Sequence, residues 1–203
     1  METYFLGSGM SWTMSKVLPY LIMILVGIVL WIIAKKILKS SKKYLRWTLL
    51  LVIFVLPFII YFMISPIFEG DFTNNSVEVE QSASNAELNG KKLVVITIPG
   101  CPYCYDAIDQ LLIMKKRVPE IEIEYVVCSS DSTTIEWYKK KGGDVISVRL
   151  ADNPEEMAKI AKGDDEVSTF PTFVLVDNKH PLKTWSNDSF GVFAKDEVEL
   201  EFN

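Results

Sequence analysis

Two apolar runs without a single charged residue occupy the first third of the chain, at residues 17–34 and 47–68. As α-helices they would extend about 27 and about 33 Å, which matches the roughly 30 Å hydrocarbon core of a bilayer. Neither run has the polar stripe that a helix on the surface of a soluble core would show. The sequence therefore predicts a two-helix transmembrane hairpin over residues 1–68.

The charge between the two runs predicts the orientation of this hairpin. Residues 35–46 contain six lysines and arginines and no acidic residue, so the positive-inside rule places this loop in the cytoplasm and both chain ends on the other side. A cleaved signal peptide carries its positive charge before the apolar stretch, whereas Lys35 and Lys36 follow the first run. We therefore expect a retained anchor with two spans in the cell membrane (inner or plasma membrane). The soluble domain is then extracytoplasmic, and periplasmic in a Gram-negative cell.

Charge and composition exclude several classes of function for the rest of the chain. Residues 71–203 contain 14 basic and 24 acidic residues. Such an acidic domain repels phosphate backbones, so we expect no nucleic acid partner. The chain has one histidine and three cysteines, too few for a closed zinc site without carboxylates. We predict no metal site and no cofactor, and we expect His180 to be exposed and without a catalytic role.

From residue 91 onward the pattern alternates between strands and helices, after a polar stretch at 69–90 that we interpret as a linker with a candidate edge strand at 77–79. Strands are predicted at 93–98, 121–128, 145–150, 172–176 and 182–185. Helices are predicted after residue 101, at 132–141, from Asn153 onward, and within 190–202. This order indicates a mixed α/β sheet over residues 91–203. Either 121–128 or 145–150 can be the neighbour of strand 93–98.

The residues with a chemical signature are Cys101-Pro102-Tyr103-Cys104, which lie between the first of these strands and a helix. A cysteine at a helix N-terminus meets unsatisfied N–H groups and the positive end of the helix dipole, which lower its pKa below the ordinary value of about 8.5. Cys101 is therefore predicted to be a solvent-facing nucleophile, and Cys104 the more buried resolving thiol of a thiol–disulfide exchange. Pro102 is tolerated at the start of a helix, and Tyr103 offers a face on which a substrate can rest. Half a zinc site and a structural disulfide are the alternatives.

A second element lies 67 residues after Cys104, where Pro171 directly precedes a strand in the segment STFPTFVLVD at 168–177. Together with the C-x-x-C motif, this element resembles the thioredoxin superfamily over residues 91–185. The resemblance implies a thioredoxin-like mixed sheet flanked by helices, a redox-active Cys101–Cys104 disulfide, and a cis peptide bond at Pro171 that faces these cysteines. It also implies that the backbone of Phe170 binds the substrate in a short β-bridge.

The sequence departs from thioredoxins in three respects. Gly100 stands where a tryptophan usually precedes the first cysteine, and Val95 stands where a buried aspartate usually lies in the preceding strand. The Cys-Pro-Tyr-Cys tetrapeptide is itself the form usual in glutaredoxins, and the chain between the two motifs is longer than a minimal thioredoxin needs. Without the aspartate, proton transfer from the inner thiol needs another group or water.

We thus expect a membrane-anchored, extracytoplasmic thiol–disulfide oxidoreductase that acts on protein disulfides or dithiols. Two helices without cysteines cannot carry electrons, so a separate redox partner protein is needed. The alternatives are a thioredoxin-like binding or chaperone module with little turnover, and a redox protein that binds a soft metal ion such as Cu(I).

Two further features of the sequence carry predictions. Cys128 ends an apolar strand, so it is predicted to be a buried structural thiol, with a regulatory or second resolving thiol as the alternative. The acidic residues at 196–201 are predicted to form a solvated face.

Overall fold

The computed structural model describes residues 1–38, 42–68, 70–79, 88–162, 167–177 and 181–202, which form two compact units, Met1–Glu69 and Gly70–Asn203. The first unit contains α1 (Glu2–Gly7), α2 (Trp12–Ile37) and α3 (Lys43–Ile64). The second unit contains, in chain order, β1 (Val77–Val79), β2 (Lys92–Thr97), α4 (Pro102–Arg117), β3 (Ile123–Val127), α5 (Thr134–Gly142), β4 (Ser147–Leu150), α6 (Pro154–Lys162), β5 (Thr172–Val176), β6 (Leu182–Ser186) and α7 (Val192–Glu201).

Helices α2 and α3 are long and apolar enough to cross a membrane, which makes them two candidate spans. They pack closely at Gly27, where an added Cβ atom would lie only 2.5 Å from the carbonyl oxygen of Phe54. Tyr20 on α2 also donates a hydrogen bond to the carbonyl of Ser65, at 2.7 Å. The two helices thus make close backbone contact at Gly27, and a side-chain hydrogen bond joins Tyr20 to the residue that follows α3.

The ends of these helices differ from the ends of the apolar runs. Helix α2 begins earlier than predicted, because the side chain of Ser11 caps it by accepting a hydrogen bond from the N–H of Met14 at 3.2 Å. Pro19 therefore lies inside the helix and not in its first turn. Helix α3 begins within the basic loop, at Lys43, and ends at Ile64. Apolar content marks the segment that suits a bilayer, whereas the backbone hydrogen bonds of a helix continue through polar residues.

The second unit is built on a six-stranded sheet with the order β1-β6-β5-β2-β3-β4. Strand β2 pairs in parallel with β3 and antiparallel with β5, and β3 pairs in parallel with β4. The neighbour of β2 is therefore β3, and the shorter β4 lies at the edge. Antiparallel β6 follows β5, and the core order β3-β2-β5-β6 is that of a thioredoxin-like mixed sheet. The predicted fold class is confirmed.

Helices cover the sheet and form the core with it. Met157 and Ile160 of α6 pack in one buried cluster with Val94 and Ile96 of β2. Successive side chains of a strand point to opposite faces, so Leu93 and Val95 face the other side. All of β2 is buried, as expected of a central strand whose two faces are both covered.

Residues 70–79, which the sequence assigns to the polar linker, pack against the domain in the structure. Strand β1 pairs antiparallel with β6, as anticipated for a short edge strand. The indole N–H of Trp185 donates to the amide oxygen of Asn74 at 2.8 Å, and the N–H of Val192 donates to the carbonyl of Asp71 at 2.8 Å. These polar residues are therefore partners of buried groups. Residues 80–87 of the same stretch lie outside the described part of the chain.

The prediction of a solvated acidic face on α7 is wrong for two of its residues. Glu199 is buried and receives two hydrogen bonds from the guanidinium of Arg117, at 2.8 and 2.9 Å. Glu197 forms an ion pair with Lys183 at 2.6 Å. Arg117 lies on α4, 82 residues before Glu199, and Lys183 lies on β6, 14 residues before Glu197. Both pairs depend on how these elements pack and not on the spacing of residues within α7. His180 lies outside the described residues, so its predicted exposure stays a prediction.

Candidate active site

The site is built on the turn that connects β2 to α4. Gly100 has a φ of +70°, in the left-handed region that glycine adopts without the steric cost that a Cβ atom would impose. Helix α4 then begins with Pro102 at its first position, as predicted, and Cys101 is the N-cap residue. This turn places the Cys101 sulfur at the N-terminus of α4, where the N–H of Cys104 lies 3.1 Å from it. A thiolate at this position would accept that hydrogen bond and benefit from the helix dipole.

Cys101 and Cys104 form a disulfide in the structure. Cys101 is 7% exposed and Cys104 is fully buried, so the order of accessibility is the predicted one. The prediction of a freely solvent-facing Cys101 is nevertheless wrong in degree. Its side chain turns towards the helix N-terminus, and its sulfur lies 3.9 Å from the carbonyl oxygen of Phe170, which leaves only a small part in contact with solvent.

The loop before β5 approaches the disulfide. The peptide bond between Phe170 and Pro171 is cis, as the resemblance implies, and the antiparallel pairing of Thr172 with Ile96 brings this loop beside the end of β2. The Phe170 side chain packs against the buried cluster under α6, and its carbonyl oxygen lies 3.9 Å from the Cys101 sulfur. The substrate-binding roles of Phe170 and Pro171 remain predictions.

The two residues between the cysteines have different surroundings. Tyr103 is 66% exposed, so its ring is available to a bound chain. Pro102 starts the helix and is exposed as well. Their predicted contact with substrate is compatible with this placement and remains a prediction.

Two buried tyrosines behind the disulfide were not identified from the sequence. The hydroxyl of Tyr138 on α5 donates to the carbonyl of Ile98 at 2.6 Å and accepts from the hydroxyl of Thr97 at 3.0 Å. The hydroxyl of Tyr125 on β3 donates to the carbonyl of Cys104 at 3.2 Å. Burial raises the pKa of both phenols above the ordinary value of 10, which keeps them neutral. No local signal marks them, since the fold alone brings them to the motif.

The third cysteine, Cys128, lies at the end of the sheet where β2 leads into the C-x-x-C motif. Cys128 directly follows β3, and its N–H donates to the carbonyl of Thr97 at 2.7 Å. It is partly buried, not fully buried as predicted, and stays outside the disulfide. Within the residues that the structure describes, no group of three or more His, Cys, Asp or Glu side chains is arranged to hold a metal ion.

Comparisons with known proteins gave structural matches only. No protein-family model matches the chain, and no curated protein matches it. Among solved structures, MTB dsbF in its mixed oxidized and reduced forms is 13% identical, with a TM-score of 0.45 over 68% of this chain and 99% of its own.

Two further solved structures have similar scores. A secreted Mycobacterium tuberculosis disulfide oxidoreductase homologous to E. coli DsbE is 16% identical, with a TM-score of 0.42 over 64% of this chain and 94% of its own. A SCO1/SenC family lipoprotein from Bacillus anthracis is 11% identical, with a TM-score of 0.40 over 65% of this chain and 95% of its own. By its sheet order, its C-x-x-C disulfide and its cis-proline, the second unit of this chain is a thioredoxin-like domain.

Proposed function

We propose that the protein is a membrane-anchored thiol–disulfide oxidoreductase that exchanges disulfides with protein substrates on the extracytoplasmic side. The observation that carries the proposal is the position of the Cys101 sulfur. It lies at the N-terminus of α4, within reach of the Cys104 N–H, and beside the Phe170 carbonyl next to a cis-proline. A reactive cysteine needs this combination of stabilised negative charge and an adjacent binding edge.

The reaction conserves electrons and sulfur bonds at each step. With the reduced domain, the Cys101 thiolate attacks one sulfur of a substrate disulfide, forms a mixed disulfide, and releases the other substrate sulfur as a thiolate. Cys104, once deprotonated, attacks the Cys101 sulfur, so the Cys101–Cys104 disulfide forms and the second substrate thiolate leaves. The substrate has gained two electrons and the domain has lost them. The reverse sequence oxidises a substrate dithiol.

Substrate is positioned by the backbone next to Pro171. Phe170 lies two residues before β5 and is not part of the β2–β5 register. An extended substrate segment pairs with this backbone and brings its sulfur to Cys101. Pro102 and Tyr103 form the other side of the binding site, where the exposed ring contacts the substrate chain.

The hairpin anchors the domain in the cell membrane. Its apolar side chains are exposed along α2 and α3, and a bilayer would cover them. The basic residues between the two helices remain cytoplasmic, so the domain lies on the other side. The anchor has no cysteine, so a separate redox partner protein must regenerate the domain.

A turnover assay tests the proposal. The full chain in detergent micelles is given a protein disulfide substrate and dithiothreitol, and wild type is compared with Cys101→Ser. We expect disulfide reduction by the wild type and its loss in the variant, because the attacking sulfur is gone. Equal activity in both contradicts the assignment of Cys101. No activity in either favours a thioredoxin-like binding or chaperone module.

A trapping experiment identifies the substrate. In Cys104→Ser the mixed disulfide cannot be resolved, so the variant is expected to accumulate covalent complexes that reductant releases and mass spectrometry identifies. The variant with both cysteines changed to serine is the matched control. Complexes that persist in this control would not arise from Cys101.

Accessibility labelling tests the orientation. In a chain whose three cysteines are replaced by serine, Leu38→Cys reports the basic loop and Asn187→Cys reports the domain surface. An impermeant thiol reagent applied to intact cells should label position 187 and leave position 38 unlabelled until the cells are lysed. Labelling of position 38 in intact cells contradicts the proposed topology.

A further inference from the structure

The hydroxyl of Tyr138 makes two hydrogen bonds at the turn that leads into the C-x-x-C motif. A phenol has one proton to donate and two lone pairs to accept with. Tyr138 donates to the carbonyl of Ile98 and accepts from the hydroxyl of Thr97. One oxygen atom therefore binds both the last residue of β2 and the residue that begins the turn before Cys101.

The backbone carbonyl that Tyr138 binds lies beyond the end of β2. Strand β2 ends at Thr97, and helix α4 begins at Pro102, so Ile98 belongs to neither element. Buried backbone groups without a partner are costly, and they are normally satisfied by secondary structure, side chains or water. The ring of Tyr138 is fully buried and is carried by a different helix, α5, so its hydroxyl has a defined position independent of the turn.

We propose that Tyr138 is a positioning residue for Cys101, whose hydroxyl holds the turn so that the Cys101 sulfur stays over the N–H of Cys104. This inference rests on the proposed function, in which that sulfur is the nucleophile. The 3.1 Å separation between the Cys101 sulfur and the Cys104 nitrogen is the geometry that Tyr138 maintains. Tyr138 supplies fixed geometry and leaves proton transfer to another group.

Tyr125 provides a matched comparison within the same site. Its ring is also fully buried and lies 5.7 Å from the ring of Tyr138, centroid to centroid. Its hydroxyl donates to Cys104, but to a carbonyl that lies inside α4 and not in the turn. Loss of either hydroxyl removes a buried hydrogen bond, but of the two only the hydroxyl of Tyr138 binds the turn that precedes Cys101.

The test is the pH profile of Cys101 alkylation in the reduced full chain in detergent micelles. Iodoacetamide labelling is followed at Cys101 by tandem mass spectrometry for wild type, Tyr138→Phe and Tyr125→Phe. We expect the midpoint for Tyr138→Phe to move up by about one pH unit, because a looser turn weakens the hydrogen bond from the Cys104 N–H to the Cys101 thiolate. One such hydrogen bond is worth about one pKa unit. Labelling below the midpoint then becomes about tenfold slower. The midpoint for Tyr125→Phe should stay at the wild-type value.

Two outcomes overturn the proposal. The first is an unchanged midpoint in Tyr138→Phe, and the second is an equal shift in both variants, which would indicate general loosening of the domain. If Tyr138→Phe does not fold, Thr97→Val replaces it, because this variant removes one donor to the same hydroxyl. A smaller shift in the same direction supports the proposal, and an unchanged profile overturns it. The measurement does not use turnover, so an inactive wild type would contradict the proposed function and leave the effect of Tyr138 measurable.

Discussion

Apolar side chains face outward along the hairpin and inward in the thioredoxin-like domain. Val29 on α2 is 53% exposed, whereas Val94 on β2 is fully buried. Soluble proteins rarely expose a contiguous apolar surface larger than a few hundred square ångströms. The same residue type therefore has a different partner in each unit, namely the protein core in the domain and, as proposed, lipid around the hairpin.

The two units also differ in how they use polar chemistry. All three cysteines belong to the domain, and the domain contains a charge cluster on three neighbouring strands. Glu124 on β3 forms ion pairs with Lys92 of β2 and Arg149 of β4, both at 2.6 Å. The domain thus depends on specific polar contacts and on pH, whereas the hairpin depends on helix packing and on its surroundings. The following predictions test this contrast.

The largest expected effect comes from replacing Val94 or Val29 with aspartate. Val94→Asp should destabilise the domain by about 5 kcal/mol, because a charge in a central strand has no partner. Such a loss is between about a third and all of the stability of a typical domain. Val29→Asp should leave the domain folded and weaken insertion of the hairpin by about 2 kcal/mol. Limited proteolysis of the domain and membrane fractionation of the full chain separate the two effects. A domain unfolded by Val29→Asp would contradict the contrast.

The charge cluster gives the second prediction, which concerns pH. Burial acts to raise the pKa of Glu124, but hydrogen bonds from Arg149 and Lys92 outweigh it and leave the pKa below its ordinary value of 4.5. A lowered folded-state pKa stabilises the protein above about pH 4.5, and this stabilisation is lost as the pH falls through the folded value. Glu124→Gln should cost about 3 kcal/mol at pH 7 and flatten the acid dependence of unfolding.

Denaturant titrations followed by tryptophan fluorescence at pH 7 and below pH 4.5 check this prediction. The matched control is Glu122→Gln, at an exposed position just before β3. The control should retain both the stability and the acid dependence of the wild type. If Glu124→Gln loses stability on acidification as steeply as the wild type, the cluster is not the source of the pH dependence.

The third prediction concerns helix packing in the hairpin. Gly27→Leu should force α2 and α3 apart, because even a Cβ atom at this position would lie 2.5 Å from a backbone oxygen of Phe54. Overpacking of this kind costs about 2 kcal/mol. Gly7→Leu is the control, since nothing lies within 4 Å of a Cβ atom there. Loss of helical circular dichroism on titration with sodium dodecyl sulfate should occur at lower detergent for Gly27→Leu alone. The domain should be unaffected by either substitution.

Features that depend on neighbouring residues were predicted correctly from the sequence. The apolar run at 93–98 became β2, and Pro102 took the first position of α4. Asn153 caps α6, and its side chain accepts a hydrogen bond from the N–H of Glu156 at 3.3 Å. These elements are determined by local rules on burial, proline geometry and capping, which need no knowledge of the fold.

Features that depend on contacts distant in the sequence were missed. Tyr138 lies 37 residues after Cys101, and Glu199 lies 82 residues after its partner Arg117. The sequence marks each of these residues only as an aromatic or an acid. Their roles arise because the sheet order places α5 behind the motif and α7 beside the end of α4. The partial burial of Cys128 was missed for the same reason, because it depends on which elements cover that end of the sheet.

The smallest expected effect is that of Cys128, and it tests whether the chemistry is confined to one pair of sulfurs. Cys128 is partly buried and lies outside the Cys101–Cys104 disulfide, so Cys128→Ser should retain wild-type turnover within about twofold. The thiol contacts the cluster that also packs against Phe170, and its exchange for a hydroxyl costs about 1 kcal/mol of stability. The assay with protein disulfide and dithiothreitol measures the first effect, and thermal unfolding measures the second. A loss of turnover as large as that of Cys101→Ser would mean that a third sulfur takes part in the exchange.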